Sequence, residues 1–290
     1  MMEFGFENIF LIEVILVTGF SGLLTRLIVP RIIKIAHKKS LTCHPKDTYV
    51  DVPKAIRKRT HDHRIPVIGG ISVYVSFLFV MFYIIFLRNE FNSTEHETVQ
   101  LYSLLITATF LFIIGLLDDI YRISYLSRIV VETIVVAVYL FVSFDNILIA
   151  IPGMGVVNSN LWGFVFLTIW LLTIINSFNL IDGLDGLATG LISIAVVFLL
   201  VIYFESSQLI TILLSALLGS LIAFLRFNFF PAKIFLGSSG VLLLGFVLGA
   251  VGIWTPEVNT PINFLQYTSF LLAIPLVDCL LFLPREFIMG

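Results

Sequence analysis

Two acidic clusters interrupt an otherwise oily chain. Asp118 and Asp119 close the run FLFIIGLLDD. Further on, NSFNLIDGLDGLATG (residues 176–190) sets Asn176, Asn179, Asp182 and Asp185 among three glycines. Apolar runs flank it on both sides. Hydrocarbon cannot solvate a carboxylate, so acids at such a boundary point to a site. Carboxylate and amide oxygens are hard ligands of the kind Mg²⁺ takes. The adjacent Asp118 and Asp119 repel each other unless a cation sits close. They read as a metal- or phosphate-handling pair, or as two solvated loop acids near Arg122 and Arg128. Asn179, Asp182 and Asp185 recur every three residues, which places them on one face of a helical turn. Asp-Gly pairs are also ordinary turn chemistry. Two such pairs after two asparagines favour a site.

Two further segments could meet an anion. In RFNFFPAKIFLGSSG (226–240), Gly237 and Ser238 precede an apolar run. Small residues before a helix can offer backbone N–H groups to a phosphate; a serine cap is the plainer reading. RKRTHDHRIPVIGG (57–70) brings His61 and a basic cluster. It could meet anionic substrate or lipid headgroups, or serve only to set topology. Gly69 and Gly70 permit close helix packing. Glu13, Glu132 and Asp278 fall inside apolar runs; Glu132 is in a position to pair with a neighbouring polar group, and Asp278, near the inner end of its run, to face the site, but the sequence fixes no partner.

The elements that must hold these residues are membrane spans. The 290 residues are 59% hydrophobic and 12% charged, with mean hydropathy +1.05. Soluble domains carry about 25% charged residues. A helix needs about 20 apolar residues to cross a bilayer. Nine runs approach this, near 9–33, 66–87, 100–117, 125–144, 161–176, 188–204, 209–225, 241–254 and 262–284. Residues 146–157, broken by Pro152, Gly153 and Gly155, read as a loop or hairpin. The expected fold is an all-α polytopic helical bundle forming one domain over 1–290. Net charge is −2 and implies no nucleic-acid partner. Cys43 and Cys279 imply no disulfide framework.

Ten of the seventeen Lys and Arg lie in residues 31–65. The positive-inside rule puts that loop in the cytoplasm and the N-terminus outside. Loops 118–124, 177–187 and 226–240 then also face the cytoplasm, where one reaction would need their acids in a single cleft. A transporter would instead place acids through the spans.

In the order GLLDD, SFNLIDGLDGLATG and FNFFPAKIFLG, with DVPKAIRKRTHDHRIPVIGG upstream, the chain resembles the polyprenyl-phosphate N-acetylhexosamine-1-phosphate transferases. The resemblance covers about residues 45–280, and FNLIDGLDGLA is its most specific part. It is nearest the branch that starts O-antigen, enterobacterial common antigen or wall teichoic acid synthesis. It implies transfer of N-acetylhexosamine-1-phosphate from a UDP-sugar to undecaprenyl or another polyprenyl phosphate, with release of UMP. It also implies Mg²⁺, with Mn²⁺ an alternative, and the cytoplasmic face of the inner membrane, with a homodimer left open. By resemblance, Asp118, Asp119, Asp182 and Asp185 are catalytic. Asp119 and Asn179 serve the metal. His61, Arg128, Asn176, Asn179, Gly237 and Ser238 bind substrate. Two departures stand out. Ser238 occupies the place of a metal-binding Asp, and no histidine follows His63, where the family has a His-bearing C-terminal loop. The expectation is therefore a chain cut short at its C-terminus, or an impaired homologue with a binding role.

Overall fold

The computed structural model describes residues 3–43, 64–87, 95–144, 148–151, 155–158 and 160–254. His61, Asp278 and the ninth apolar run lie outside the described residues. Eight apolar helices account for the other eight runs. They are α1 (Glu3–Lys38), α2 (Gly70–Phe82, extended by a π-helical turn Tyr83–Leu87), α3 (Glu95–Tyr121) and α4 (Tyr125–Ser143). Then come α5 (Asn160–Ile181), α6 (Leu187–Tyr203), α7 (Gln208–Asn228) and α8 (Gly237–Ile253). Six are long and apolar enough to cross a membrane by length and composition. The other two, α6 and α8, have 17 residues each. Many large apolar side chains point outward, among them Leu126, Phe141 and Val201. Lipid, unlike water, solvates such a surface at no cost. The chain is a multi-pass membrane protein.

Among the described residues there are also two short antiparallel strand pairs. β1 (Thr42–Cys43) pairs with β2 (Ile65–Pro66), and β3 (Leu148–Ile151) pairs with β4 (Gly155–Asn158). The second pair is the hairpin expected at 146–157, with Leu148 opposite Asn158 and Ile151 opposite Gly155.

The chain sorts into two compact units, each discontinuous in sequence: 1–88 with 182–241, and 89–181 with 242–290. In the first, α1 and α7 share a seam of small residues. The Thr25 hydroxyl lies 2.8 Å from those of both Ser76 and Ser220, and Ser21 donates to the Ala216 carbonyl at 2.6 Å. The pairs 21–216 and 25–220 step in the same direction, so the two helices run parallel. A Cβ on Gly219 would come 2.1 Å from the Thr18 carbonyl oxygen. Only glycine allows this approach, as membrane helix interfaces require. In the second unit, α5 packs on the later part of α8. A Cβ on Gly245 would sit 3.0 Å from the Ile175 Cα. Tyr139 of α4 meets Phe246 of α8 edge-on at 4.9 Å.

Two boundaries differ from the sequence reading. Helix α3 continues to Tyr121, so Asp118 and Asp119 lie in its last turn rather than in a loop. Helix α5 continues to Ile181, so Asn176, Ser177 and Asn179 are helical. Polar side chains usually end an apolar span, but Asn176 and Ser177 each donate to a carbonyl of the preceding turn. Ser177 donates to the Thr173 carbonyl at 2.5 Å, and Asn176 to that of Leu172 at 3.0 Å.

Candidate functional site

The second unit builds a charged network around one guanidinium. Arg122, in the left-handed region at φ 52°, ends α3, and its N–H still bonds the Asp118 carbonyl at 2.8 Å. Ser124 then caps α4, accepting from the Ser127 N–H at 3.3 Å. The capped helix presents Arg128 and Glu132 four residues apart on one face. Arg128 is 8% exposed and Glu132 is 0% exposed, so each needs a partner. Arg128 Nη1 donates to Asp118 Oδ2 at 2.7 Å, and its Nε lies 3.2 Å from Glu132 Oε1. Asn176 donates from Nδ2 to Glu132 Oε2 at 2.8 Å. With the Asn179 amide oxygen assigned toward the guanidinium, it accepts from Arg128 Nη2 at 2.9 Å and Nη1 at 3.3 Å. The guanidinium carbon also lies 5.5 Å from the Tyr125 ring centre, within cation–π range.

Arg128 is thus the hub joining the last turn of α3 to the last turns of α5. The carboxylates at the end of α3 face the negative end of that helix's dipole. A buried cation offsets this. Asp119 is half-buried in the same turn.

The first unit contains the other acidic pair. After Ile181 the chain turns, and Gly186 adopts φ 72° before α6 begins. Asp182 and Asp185 therefore lie in a turn, and the single helical face expected for Asn179, Asp182 and Asp185 is not formed. The reason is local: a left-handed backbone at Gly186 is incompatible with a continuing helix. Each carboxylate holds one point of the 226–240 segment. Asp182 Oδ2 accepts from the Gly237 N–H at 3.0 Å, at the start of α8, and Asp185 Oδ2 accepts from the Ala232 N–H at 3.0 Å. A carboxylate at a helix N-terminus is favoured by both the unpaired N–H groups and the dipole. The Gly237 N–H, expected to await a phosphate, is engaged by Asp182.

More of this segment is fixed from beneath. Thr189 donates to Asn228 Oδ1 at 2.8 Å, and Asn228 Nδ2 donates to the Ile234 carbonyl at 3.0 Å. Residues 66–70 run beside it. Phe235 N–H bonds the Pro66 carbonyl at 2.8 Å, and the Gly69 and Gly70 N–H groups bond the carbonyls of Phe235 and Leu236 at 3.0 and 2.7 Å. Ile65, Ala232 and Phe235 form a small core under these bonds. The close approach expected at Gly69-Gly70 is real, against helix α8 as well as this loop: a Cβ on Gly70 would come 2.2 Å from the Gly240 backbone nitrogen. A Cβ on Gly69 would meet the Phe235 oxygen at 2.4 Å. Ser238 is half-buried at the head of α8.

Asp118, Arg128, Asn176 and Asn179 are therefore joined in one unit, and Asp182, Asp185 and Gly237 in the other. Glu132, Thr189 and Asn228 were not among the sequence candidates. The Arg128–Glu132 spacing on an apolar helix was the available signal for Glu132. Among the described residues, no three His, Cys, Asp or Glu side chains gather as a metal-holding group. Mg²⁺ does not require one, since it commonly uses one or two carboxylates plus substrate phosphates. The half-buried Asp119 carboxylate suits that mode.

Comparison with known proteins gives a consistent picture. The profile of Glycosyl transferase family 4 matches residues 101–255. An undecaprenyl-phosphate alpha-N-acetylglucosaminyl 1-phosphate transferase from Thermotoga maritima is 30% identical over 243 residues, 84% of this chain and 68% of its own. A relative from Sulfolobus acidocaldarius, named for UDP-N-acetylglucosamine and dolichyl phosphate, is 32% identical over 207 residues. That match covers 69% of this chain and 61% of the relative. A phospho-N-acetylmuramoyl-pentapeptide-transferase from Levilactobacillus brevis is 45% identical over 104 residues, 36% of this chain and 32% of its own. The chain thus spans about two thirds or less of these relatives.

Proposed function

The chain belongs to glycosyl transferase family 4, and from that membership we propose that it transfers N-acetylhexosamine-1-phosphate from a UDP-sugar to undecaprenyl phosphate. An oxygen of the lipid phosphate forms a bond to the sugar-bearing phosphorus. The bond from that phosphorus to UMP breaks, and its electron pair leaves with UMP. The site faces the cytoplasm at the inner membrane, so that a water-soluble donor can meet a lipid acceptor. The observation that carries the reading is the Arg128 network, a buried cation bound to both acidic and amide motifs of the family pattern.

The residues divide by task. Joining two phosphates is opposed by their charges, and catalysis rests on positioning and neutralisation. Asp118 Oδ2 is committed to Arg128, so Asp118 is assigned to positioning. Its neighbour Asp119 is assigned to the acceptor phosphate, where it would take the proton if the phosphate carries one. Asn176 and Asn179 fix the guanidinium from the second motif. Asp182 and Asp185 hold the 226–240 segment in shape for the donor. His61 is assigned to an anionic substrate. Mg²⁺, or Mn²⁺ in its place, would be held by Asp119 with the donor's phosphates, and would supply neutralisation of the diphosphate and of departing UMP.

Ser238 favours a second reading, a slow or inactive homologue with a binding role, because a hydroxyl is a poorer Mg²⁺ ligand than a carboxylate. One assay separates the two. Membranes containing the chain receive radiolabelled UDP-N-acetylglucosamine and undecaprenyl phosphate, and label in the lipid phase is counted. Parent activity supports the transferase reading, and a rise in Ser238→Asp places residue 238 at the metal. Absence of lipid product in both chains, with UDP-sugar still bound, supports the binding role.

A further inference from the structure

A second feature of the first unit does not depend on the transferase reading. Beside the α1–α7 seam runs a groove of about 480 Å³. Its walls are Gly19, Leu23, Ile222 and Ala223, and Arg26 and Arg226 also line it. A Cβ on Gly19 would meet nothing within 4 Å, so the glycine leaves the groove open. Leu23 and Ile222 are exposed along it. The volume falls in the range of sites that take small ligands.

The two arginines are the unusual part. Both sit on apolar helices and both are exposed. Among the described residues neither has a carboxylate or hydrogen-bond partner. Arg128, by contrast, donates to Asp118 at 2.7 Å, and Arg31 bonds the Leu27 carbonyl at 3.4 Å. Arg226 lies in the last turn of α7, where an arginine reaches the headgroup layer and attracts lipid anions. Planar guanidinium groups match phosphate oxygens in two-point contacts. An apolar groove with two guanidinium groups unpaired among the described residues complements a phosphate headgroup carrying hydrocarbon tails.

We propose that this groove is a binding site for an anionic glycerophospholipid, with its phosphate on Arg26 and Arg226 and a tail along Leu23 and Ile222. The groove's lining has no carboxylate or amide to act on a phosphate. The occupant is therefore a resident lipid and not the reacting acceptor. A second copy of the chain is a poorer match. Among the described side chains of α1 and α7 the sole acid is Glu13, which already accepts from the Tyr83 hydroxyl at 2.8 Å.

Native mass spectrometry of the full chain in detergent tests this. The added probes are dioleoyl phosphatidylglycerol, dioleoyl phosphatidylcholine, undecaprenyl phosphate and inorganic phosphate. Phosphatidylglycerol should bind most tightly. Each basic residue near a lipid anion contributes about fivefold, so Arg26→Gln with Arg226→Gln should weaken it roughly 30-fold. Arg31→Gln should leave it unchanged. Ala223→Leu, which fills the groove while keeping both charges, should weaken both glycerophospholipids. Equal binding of the two glycerophospholipids, or an unaffected double glutamine variant, would overturn the proposal. So would tighter binding of undecaprenyl phosphate or equal competition by inorganic phosphate. A lipid-free dimer lost in Ala223→Leu would assign the groove to a second copy instead.

Discussion

Replacing Arg128 with methionine should destabilise the protein more than any other single change in the acidic motifs. Methionine keeps much of the aliphatic stem but removes the charge and all five donors. Glu132, 0% exposed, would keep only Asn176, and Asp118 would lose its 2.7 Å partner. Removing one member of a buried ion pair costs about 3–5 kcal/mol, because the other charge stays buried and uncompensated. At about 2–4 °C per kcal/mol for a larger domain, Tm should fall on the order of 10 °C. The check is thermal unfolding in detergent, followed by the fraction eluting as a single peak in size-exclusion chromatography. The decisive comparison is a double-mutant cycle with Glu132→Gln. Glutamine alone should cost less, and in the methionine background it should restore about 1–3 kcal/mol, since neither side then leaves a buried charge. Equal stability of Arg128→Met and the parent would refute the network as a structural unit. Strict additivity of the two changes would refute the coupling across the 3.2 Å contact.

Three further outcomes follow from the same geometry. Asp182→Ala strands the Gly237 N–H at the start of α8 and should cost about 1–3 kcal/mol, while Asp182→Asn, which keeps an acceptor, should cost less; chemical denaturation of the two variants separates them. Gly219→Ala should cost about 3 kcal/mol or abolish folded yield, because its Cβ would meet backbone 2.1 Å away, whereas Gly183→Ala, with nothing within 4 Å, should express like the parent. A cysteine at Leu184, 49% exposed, should resist a membrane-impermeant maleimide added to intact cells and react once the cells are opened; labelling in intact cells would invert the proposed topology. Ser177 would be a poor probe, being 1% exposed within α5.

Much of the helical architecture was legible because a bilayer demands long apolar runs. All eight runs that fall within the described residues became helices. Their ends were less legible. Sequence hydropathy stops α5 at residue 176 because asparagine and serine are polar, yet a helix already in progress lets them bond the turn behind. The Asn179–Asp182–Asp185 spacing misled for a related reason. A three-residue repeat suits both a helix face and a pair of Asp-Gly turns, and only the left-handed backbone at Gly186 decides between them. Arg128 was found by its place after the acidic pair. An acid inside an apolar run calls for a polar neighbour, and Glu132 has one, but sequence separation hides its identity: Asn176 lies 44 residues away.

The two acidic motifs differ in what their carboxylates do, and this bears on how Ser238 should be read. In the first unit, Asp182 and Asp185 each spend an oxygen on a backbone N–H of the 226–240 segment, so they shape the stretch that carries residue 238. In the second unit, Asp118 spends an oxygen on Arg128. Asp118, Asp182 and Asp185 therefore each hold part of the protein's own structure. An anchor and a ligand are not equally fragile. Loss of the anchor moves the loop, whereas loss of a ligand at position 238 leaves the loop in place. Substitutions at Asp182 should thus lower stability and activity together. Substitutions at Ser238 should change activity or metal affinity more than stability, since neither the Asp182–Gly237 nor the Asp185–Ala232 bond runs through its side chain.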